Sequence, residues 1–162
     1  MIIRKNKKYN NGFVILFAVT LASIVLVMAL GVANIALEEI KFSTSAKDTN
    51  NAFFAADTGN ECALVNDLGA STPFVTLGSS GVVNCGGNSI SITGSGPWDF
   101  VLANIGSTGT SCAKVKVTKT TTVIGGVTYT TTTIVSKGYN IGDSSCNSTN
   151  PDRIERELVT AY

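Results

Sequence analysis

Residues 13–37 read FVILFAVTLASIVLVMALGVANIAL, and no Asp, Glu, Lys or Arg interrupts them. At about 1.5 Å per residue, a helix of this length measures roughly 37 Å, more than the hydrocarbon thickness of about 30 Å in a typical bilayer. The first proline of the chain is Pro73, so one helix can continue from Phe13 to about Leu68. We therefore predict a transmembrane helix with a polar, amphipathic continuation.

Basic residues precede this apolar segment: Arg4, Lys5, Lys7 and Lys8. Short segments rich in Lys and Arg stay on the cytoplasmic side of a membrane, so we expect the N-terminus there and the remaining chain outside. A cleaved secretory signal is the alternative, because Gly31, Val32 and Ala33 offer the small residues of a cleavage site. The apolar region of such a signal is usually only about 7–15 residues long, which disagrees with the length found here.

The composition excludes several classes of function. The 162-residue chain has 12 Lys and Arg, 11 Asp and Glu, and no His. Without the four leading basic residues the chain would be mildly acidic, which gives no electrostatic reason to expect nucleic acid. The lack of His removes the commonest general base and the commonest metal ligand. No cofactor or small-molecule substrate is indicated, and we do not expect an enzyme.

All four cysteines follow the apolar segment. An even number of cysteines in an exported domain predicts two disulfides, for which three connectivities are possible. We favour Cys62 with Cys85, which would tie the end of the helix to the globular part, and Cys112 with Cys146, which would hold the loop before the last strand. A metal site is the alternative, but the C-x-x-C spacing typical of one does not occur.

We expect an α+β fold in which the long N-terminal helix packs at its C-terminal end against an antiparallel β-sheet. The predicted packing surface is an apolar stripe of helical spacing formed by Phe53, Ala56, Asn60, Leu64 and Leu68. The predicted organisation is a leader (1–12), a transmembrane segment (13–37), an amphipathic helical continuation (38–68) and a globular β domain (69–162).

Short β-prone runs follow the helix. Gly125 and Gly126 separate two alternating segments and predict a β-hairpin with a two-residue turn. Nine of the sixteen residues from Thr118 to Thr133 are Thr, a composition that suits a solvated strand face, although an adhesive or glycosylated surface fits it as well. Trp98 is expected in the core at a sheet edge. The other predicted strands are Phe74–Leu77, Val82–Cys85, Ser89–Thr93, Phe100–Ile105 and Arg153–Tyr162.

Three features together resemble the type IV pilin-like proteins, and within them the minor pilins of the PilX type. A short basic leader ends in Gly12 and is followed by Phe13 and the apolar helix. The segment containing Ala55, Ala56, Asp57 and Gly59 is similar to the Ala-Ala-acidic-x-Gly segment of PilX-type helices. A cysteine-stapled β domain comes next. The first 68 residues carry the resemblance, and the remainder shares only the architecture.

The resemblance implies that a prepilin peptidase cleaves after Gly12 and that the new amino group of Phe13 is methylated. It also implies that the chain leaves the membrane to join other pilin subunits in a fimbrial filament, with a role in filament biogenesis or cell adhesion. The alternative is an uncleaved single-pass surface protein with a ligand-binding or adhesive β domain.

The sequence departs from the family at Phe17, where most pilins have a glutamate. A carboxylate at that depth costs roughly 2.5–3.5 kcal/mol unless it is paired, and in the family it is thought to pair with the amine of the subunit above. A subunit with nothing above it has no use for the carboxylate, so the departure suggests a tip or initiating subunit. The other interpretation is that the carboxylate is dispensable in this lineage.

Acidic residues offer the remaining candidate sites. Asp143 and Asp152, with Asn147 and Asn150, could supply oxygen ligands to Ca²⁺, but Asx-rich turns have the same composition and the regular spacing of a calcium loop is missing. We interpret the paired glutamates of the helix and the last strand as solvated surface charge. An extracellular enzyme is a further alternative, and its acid–base groups would have to come from Asp57, Glu61, Asp99 and Asp143.

Overall fold

The computed structural model describes residues 11–75 and 81–162, with side chains from Phe13 onward. Most of the predicted leader and the second half of the predicted strand Phe74–Leu77 lie outside the described residues. The chain forms two compact units, Met1–Thr44 and Ser45–Tyr162. The second unit begins inside the segment that we predicted as a separate helical continuation, so the last turns of the helix belong to the globular unit.

Helix α1 (Asn11–Leu68) has the predicted extent and contributes residues to both units. The second unit adds six strands, all paired antiparallel. β1 and β2 form a two-stranded sheet, and the other four form a sheet of order β3-β4-β5-β6. The α+β class with a helix packed on an antiparallel sheet is therefore confirmed. The strands are β1 (Gly81–Cys85), β2 (Asn88–Ile92), β3 (Trp98–Ile105), β4 (Ser111–Ile124), β5 (Val127–Tyr139) and β6 (Glu155–Ala161).

The predicted hairpin is confirmed in its position and in its turn. Ile124 pairs with Val127, and the two glycines between them have φ angles of 61° and 82°. Positive φ at both central residues is the requirement of a type I′ turn, which glycine meets without steric cost.

The core of the second unit lies between α1 and the four-stranded sheet. Trp98 is 1% exposed on the edge strand β3, as predicted, and its ring lies 5.7 Å from that of Phe74. The prediction of a strand at Phe74 was wrong, because Phe74 and Val75 have no regular structure and Phe74 fills the core instead. The other large buried side chains of the core are Val83, Ile92, Phe100, Leu102, Val115, Val117 and Ile134.

The predicted apolar stripe of the helix was wrong at its two ends, whereas Ala56 is buried and Leu64 packs against the core. Phe53 is 43% exposed and Leu68 is 66% exposed. The face of α1 that packs on the sheet consists of small residues, because β4 and β5 come too close for large side chains. These residues are Ala52, Ala55, Ala56, Gly59 and Ala63, all of them buried.

Candidate functional site

Among the residues of the first unit that the structure describes, none buries the apolar segment Phe13–Leu37. Every side chain of α1 from Phe13 to Lys47 is exposed, and the large apolar ones in the segment range from 47% for Leu21 to 75% for Phe13. The segment is long and apolar enough to cross a membrane. Exposed apolar surface of this extent needs lipid tails or apolar protein around it.

The hydroxyl groups inside this segment are compatible with an apolar environment. Thr20 donates its hydroxyl hydrogen bond to the carbonyl oxygen of Phe17 at 2.9 Å, and Ser23 donates to the carbonyl oxygen of Thr20 at 2.8 Å. Both hydroxyls are therefore satisfied by their own helix, which avoids the cost of an unpaired polar group in lipid.

The predicted processing site lies at the start of α1. Gly12 is in the first turn of the helix, and Phe13 is exposed. The basic residues that precede Gly12 lie outside the residues that the structure describes.

The segment Ala55–Gly59 packs closely against the sheet. Ala55 and Ala56 are completely buried, and Asp57 is partly buried. A Cβ atom on Gly59 would lie 2.8 Å from Cγ2 of Val115 and 3.0 Å from Cβ of Ala113, and it would also collide with the hydroxyl of Ser136. The Ala-Ala-acidic-x-Gly segment thus has a packing role, which requires small side chains at successive turns of one helix face.

Gly138 of β5 completes this contact from the sheet side. A Cβ atom there would overlap the carbonyl oxygen of Ala52 and the amide nitrogen of Ala56, and it would lie 2.8 Å from the Cα atom of Ala56. We did not single out Gly138 from the sequence. A glycine within a strand is nevertheless a known signal for the close approach of another backbone.

The four cysteines pair in the way that we favoured. Cys62 of α1 pairs with Cys85 of β1 at a Cα–Cα distance of 5.7 Å, and Cys112 of β4 pairs with Cys146 at 5.6 Å. The first pair joins the small sheet to the helix. Asn66 strengthens the same connection, since its side-chain amide donates to the carbonyl oxygen of Asn84 at 3.1 Å and its side-chain oxygen accepts from the Asn84 amide at 3.1 Å.

An ionic cluster around Asp67 holds the last turn of α1 to the sheet. The Asp67 carboxylate lies 2.6 Å from the ammonium of Lys119, with only 3% and 15% of the two side chains exposed. It also accepts hydrogen bonds from the hydroxyls of Thr72 at 2.8 Å, Thr132 at 3.1 Å and Tyr162 at 2.7 Å. These groups come from four different parts of the chain, so no local pattern in the sequence indicated the cluster.

The charges in this cluster shift two pKa values in opposite directions. Burial by itself would raise the pKa of Asp67, but the hydrogen bonds from Lys119, Tyr162 and Thr72 outweigh burial and hold the pKa below its usual 3.8. Burial, together with the bond to Asp67, raises the pKa of Tyr162 to about 12. The carboxylate is therefore ionised and the phenol neutral over the whole physiological range.

The face of the four-stranded sheet opposite the helix is charged. A groove of about 450 Å³ there is lined by lysines and by Asp99, with Val101 and Val135 at its base. Each lysine has a partner: Lys116 lies 3.7 Å from Asp99, Lys137 lies 3.1 Å from Glu155 and 3.2 Å from Glu157, and Lys114 donates to the side-chain oxygen of Asn147 at 2.8 Å. Balanced and largely exposed pairs of this kind are the solvated surface charge that we expected of Glu155 and Glu157.

The candidate acid–base residues are spread over three elements, and only Asp57 and Glu61 are neighbours, one helical turn apart. Asp57 and Glu61 lie on α1, Asp99 lies on β3, and Asp143 lies in the loop between β5 and β6. Within residues 11–75 and 81–162, no group of three or more His, Cys, Asp or Glu side chains could hold a metal ion.

The candidate calcium residues form turns. The carboxylate of Asp143 accepts hydrogen bonds from the amides of Ser145 and Asn147, both at 2.8 Å. These two bonds hold the pKa of Asp143 below its usual 3.8. The Asn150 side chain accepts in the same way from the amide of Asp152 at 2.9 Å. Asx turns thus account for the side chains of Asp143 and Asn150, while the side-chain oxygen of Asn147 accepts from Lys114.

Comparison of the chain with protein-family models, with curated protein sequences and with solved structures yields no match.

Proposed function

We propose that this chain is a structural, non-enzymatic subunit of a type IV pilus-like filament, a minor pilin or pseudopilin. The proposal rests on the difference between the two ends of α1. Its residues 13–37 are apolar and exposed, whereas its residues 52–63 present buried Ala and Gly to a disulfide-bonded sheet. One helix thus supplies both a segment that needs an apolar environment and the packing face of a folded exported domain.

The apolar segment suits two successive environments. In the membrane its side chains contact lipid tails, and in a filament they would contact the helices of other subunits. Lipid tails are as apolar as leucine side chains, so transfer from one environment to the other is nearly balanced in free energy. A process driven by a motor can then move the helix without opposing a large hydrophobic term.

The position of Phe17 favours a place at the tip of the filament or in its initiation. Phe17 is 55% exposed in the apolar segment, where a shaft subunit of this family would have a glutamate. Without that carboxylate the helix lacks the group that would pair with the amine of a subunit above it, and no cost of burying a charge arises.

The decisive experiment is to determine the N-terminal residue of the protein isolated from cells. We expect the chain to begin at Phe13 and to carry an N-methyl group, and we expect it to co-purify with pilin subunits. The variant Gly12→Val places a branched side chain at the bond and should retain residues 1–12. The matched control Asn10→Ala, two residues from Gly12, should be processed like the wild type.

An intact Met1 in the wild-type protein, found in the membrane without pilin subunits, would contradict the proposal. That result would favour the alternative of a single-pass surface protein with a ligand-binding β domain. Removal of residues 1–33 would contradict both, because the chain would then have lost most of its apolar segment.

A further inference from the structure

The hairpin of β4 and β5 extends past both neighbouring strands. β3 pairs with β4 only as far as Val117, and the backbone bonds between β5 and the C-terminal segment end with the pair Thr132 and Tyr162. Beyond these points residues 118–131 form a two-stranded ribbon, which we call the threonine ribbon. Every residue from Thr120 to Thr131 is exposed. A two-stranded ribbon is only marginally stable in water by itself, so an additional strand would stabilise it.

The register shows which backbone groups of the ribbon are open. The backbone amide of Thr132 donates to the carbonyl oxygen of Tyr162 at 2.8 Å, and the carbonyl oxygen of Thr132 accepts from the Tyr162 amide at 3.1 Å. The backbone groups of Thr132 therefore point away from β4. Lys119 pairs with Thr132 across the ribbon, and its groups point away from β5 by the same geometry. Since strand geometry repeats every two residues, Thr121 and Val123 also direct their backbone groups to the open edge of β4.

The other free edges of this sheet are protected, and the ribbon is not. β6 carries Glu155, Arg156 and Glu157, and β3 has a register shift between Leu102 and Ile105. Charges and bulges of this kind are the usual protection against edge-to-edge pairing. From Thr120 to Ser136, by contrast, the sequence contains no charged residue and no proline.

We propose that two copies of this chain join through their β4 edges, antiparallel and centred on Thr121. In this register Thr121 faces Thr121, and Lys119 faces Val123. Each open amide and carbonyl of these three residues finds a partner on the other copy. The same surface on both copies makes the contact, as in any two-fold symmetric pair.

The lack of charge on the exposed part of the ribbon favours a second copy as the occupant. Like charges directly opposite each other destabilise a strand pair, whereas Thr–Thr pairs stabilise it. No like charges meet in the proposed register, because Lys119 faces an apolar residue and its ammonium is already bound by Asp67. A charged peptide strand would find no opposite charge on the exposed part of the ribbon.

The pair needs chains that are already close together. A contact over about seven residues per strand buries far less than the roughly 1,200–2,000 Å² of a stable interface. The apolar segment 13–37 provides the necessary concentration if both copies lie in one membrane. The inference therefore requires anchoring in a membrane but neither leader cleavage nor filament assembly. The pairing can fail while the proposed function holds, and the proposed function can fail while the pairing holds.

Disulfide trapping of the full chain in lipid vesicles tests the pairing. In the variant Thr121→Cys, the two cysteines of a pair would have Cα atoms about 5.5 Å apart, within the range of roughly 4.4–6.8 Å that a disulfide spans. The matched control is Thr130→Cys, which lies beside Thr121 on the same face of the ribbon but on β5. In the proposed pair the two copies of residue 130 are three strand spacings apart, about 14 Å, and cannot be bridged.

We expect a crosslinked dimer from Thr121→Cys and at least about tenfold less from Thr130→Cys, since only the first is within disulfide reach. Thr121→Glu places like charges opposite each other and should abolish energy transfer between labelled copies in the same vesicles. Crosslinking through Thr130→Cys alone would assign the contact to the β5 edge and overturn the proposal. A lack of crosslinks in both variants, or energy transfer that Thr121→Glu does not reduce, would show that the ribbon does not join copies of this chain.

Discussion

The two halves of helix α1 have the same secondary structure and opposite environments. Residues 13–37 carry large apolar side chains that are exposed on every face of the helix, whereas residues 52–63 carry buried Ala and Gly on the face that meets the sheet. The comparison teaches that the bulk of an apolar side chain does not predict where a helix packs within its own chain. The large residues stay exposed, and the small residues allow the helix and sheet backbones to come together.

The largest expected effect comes from filling the contact between helix and sheet. Gly138→Val should destabilise the second unit by more than about 3 kcal/mol, because even its Cβ atom would overlap the backbone of Ala52 and Ala56. The effect can be measured as the loss of cooperative thermal unfolding of the full chain in detergent.

The matched control for Gly138→Val is a glycine in the apolar half of α1. Gly31→Val adds the same atoms at a glycine with no other group within 4 Å of the new Cβ atom, so we expect less than about 1 kcal/mol. Equal destabilisation by the two substitutions would show that close packing does not distinguish the two halves.

A charge in the apolar half should affect membrane binding and leave the folded unit intact. Val25→Lys puts an ammonium near the middle of the segment, at a cost of about 2.5–3.5 kcal/mol for insertion. We expect a large loss of protein from the carbonate-resistant membrane fraction. Phe42→Lys is the control, since Phe42 is 78% exposed but lies beyond the apolar segment, and its membrane fraction should be unchanged.

The smallest expected effect concerns the ionic cluster at the end of the helix. Asp67→Asn should cost about 2 kcal/mol, less than the roughly 3–5 kcal/mol of a fully buried pair, because Lys119 keeps some contact with water. Urea unfolding of the full chain measures this cost. Asp57→Asn, at a partly exposed carboxylate on the same helix, should change the stability by less than about 0.5 kcal/mol.

The same variant has a defined dependence on pH. The pKa of Asp67 is lower in the folded state than its usual 3.8, so the carboxylate stabilises the fold fully above that value, and the contribution is lost as the pH falls through the lower folded-state pKa. The difference in stability between the wild type and Asp67→Asn should therefore shrink in acid. A difference that stays constant down to pH 2 would contradict the assigned role of the carboxylate.

Local patterns in the sequence determined much of the architecture. The uninterrupted apolar run fixed the helix from its start, and the absence of proline before Pro73 permitted the helix to continue to Leu68. Gly125 and Gly126 determined the hairpin and its register, because few residues other than glycine accept positive φ. These features depend on backbone preferences over a few neighbouring residues, so they can be predicted from the sequence alone.

Only the tertiary structure decided which face of α1 is buried and what holds its end. The helix carries Phe53 and Ala56 at neighbouring positions, and the choice of Ala56 as the packing residue depends on Gly138, more than eighty positions away. The Asp67–Lys119 pair likewise joins residues that are distant in the sequence. The buried face of α1 and the ion pair at its end both depend on distances between backbones that meet only after folding, and the spacing of residues along the chain does not predict these distances.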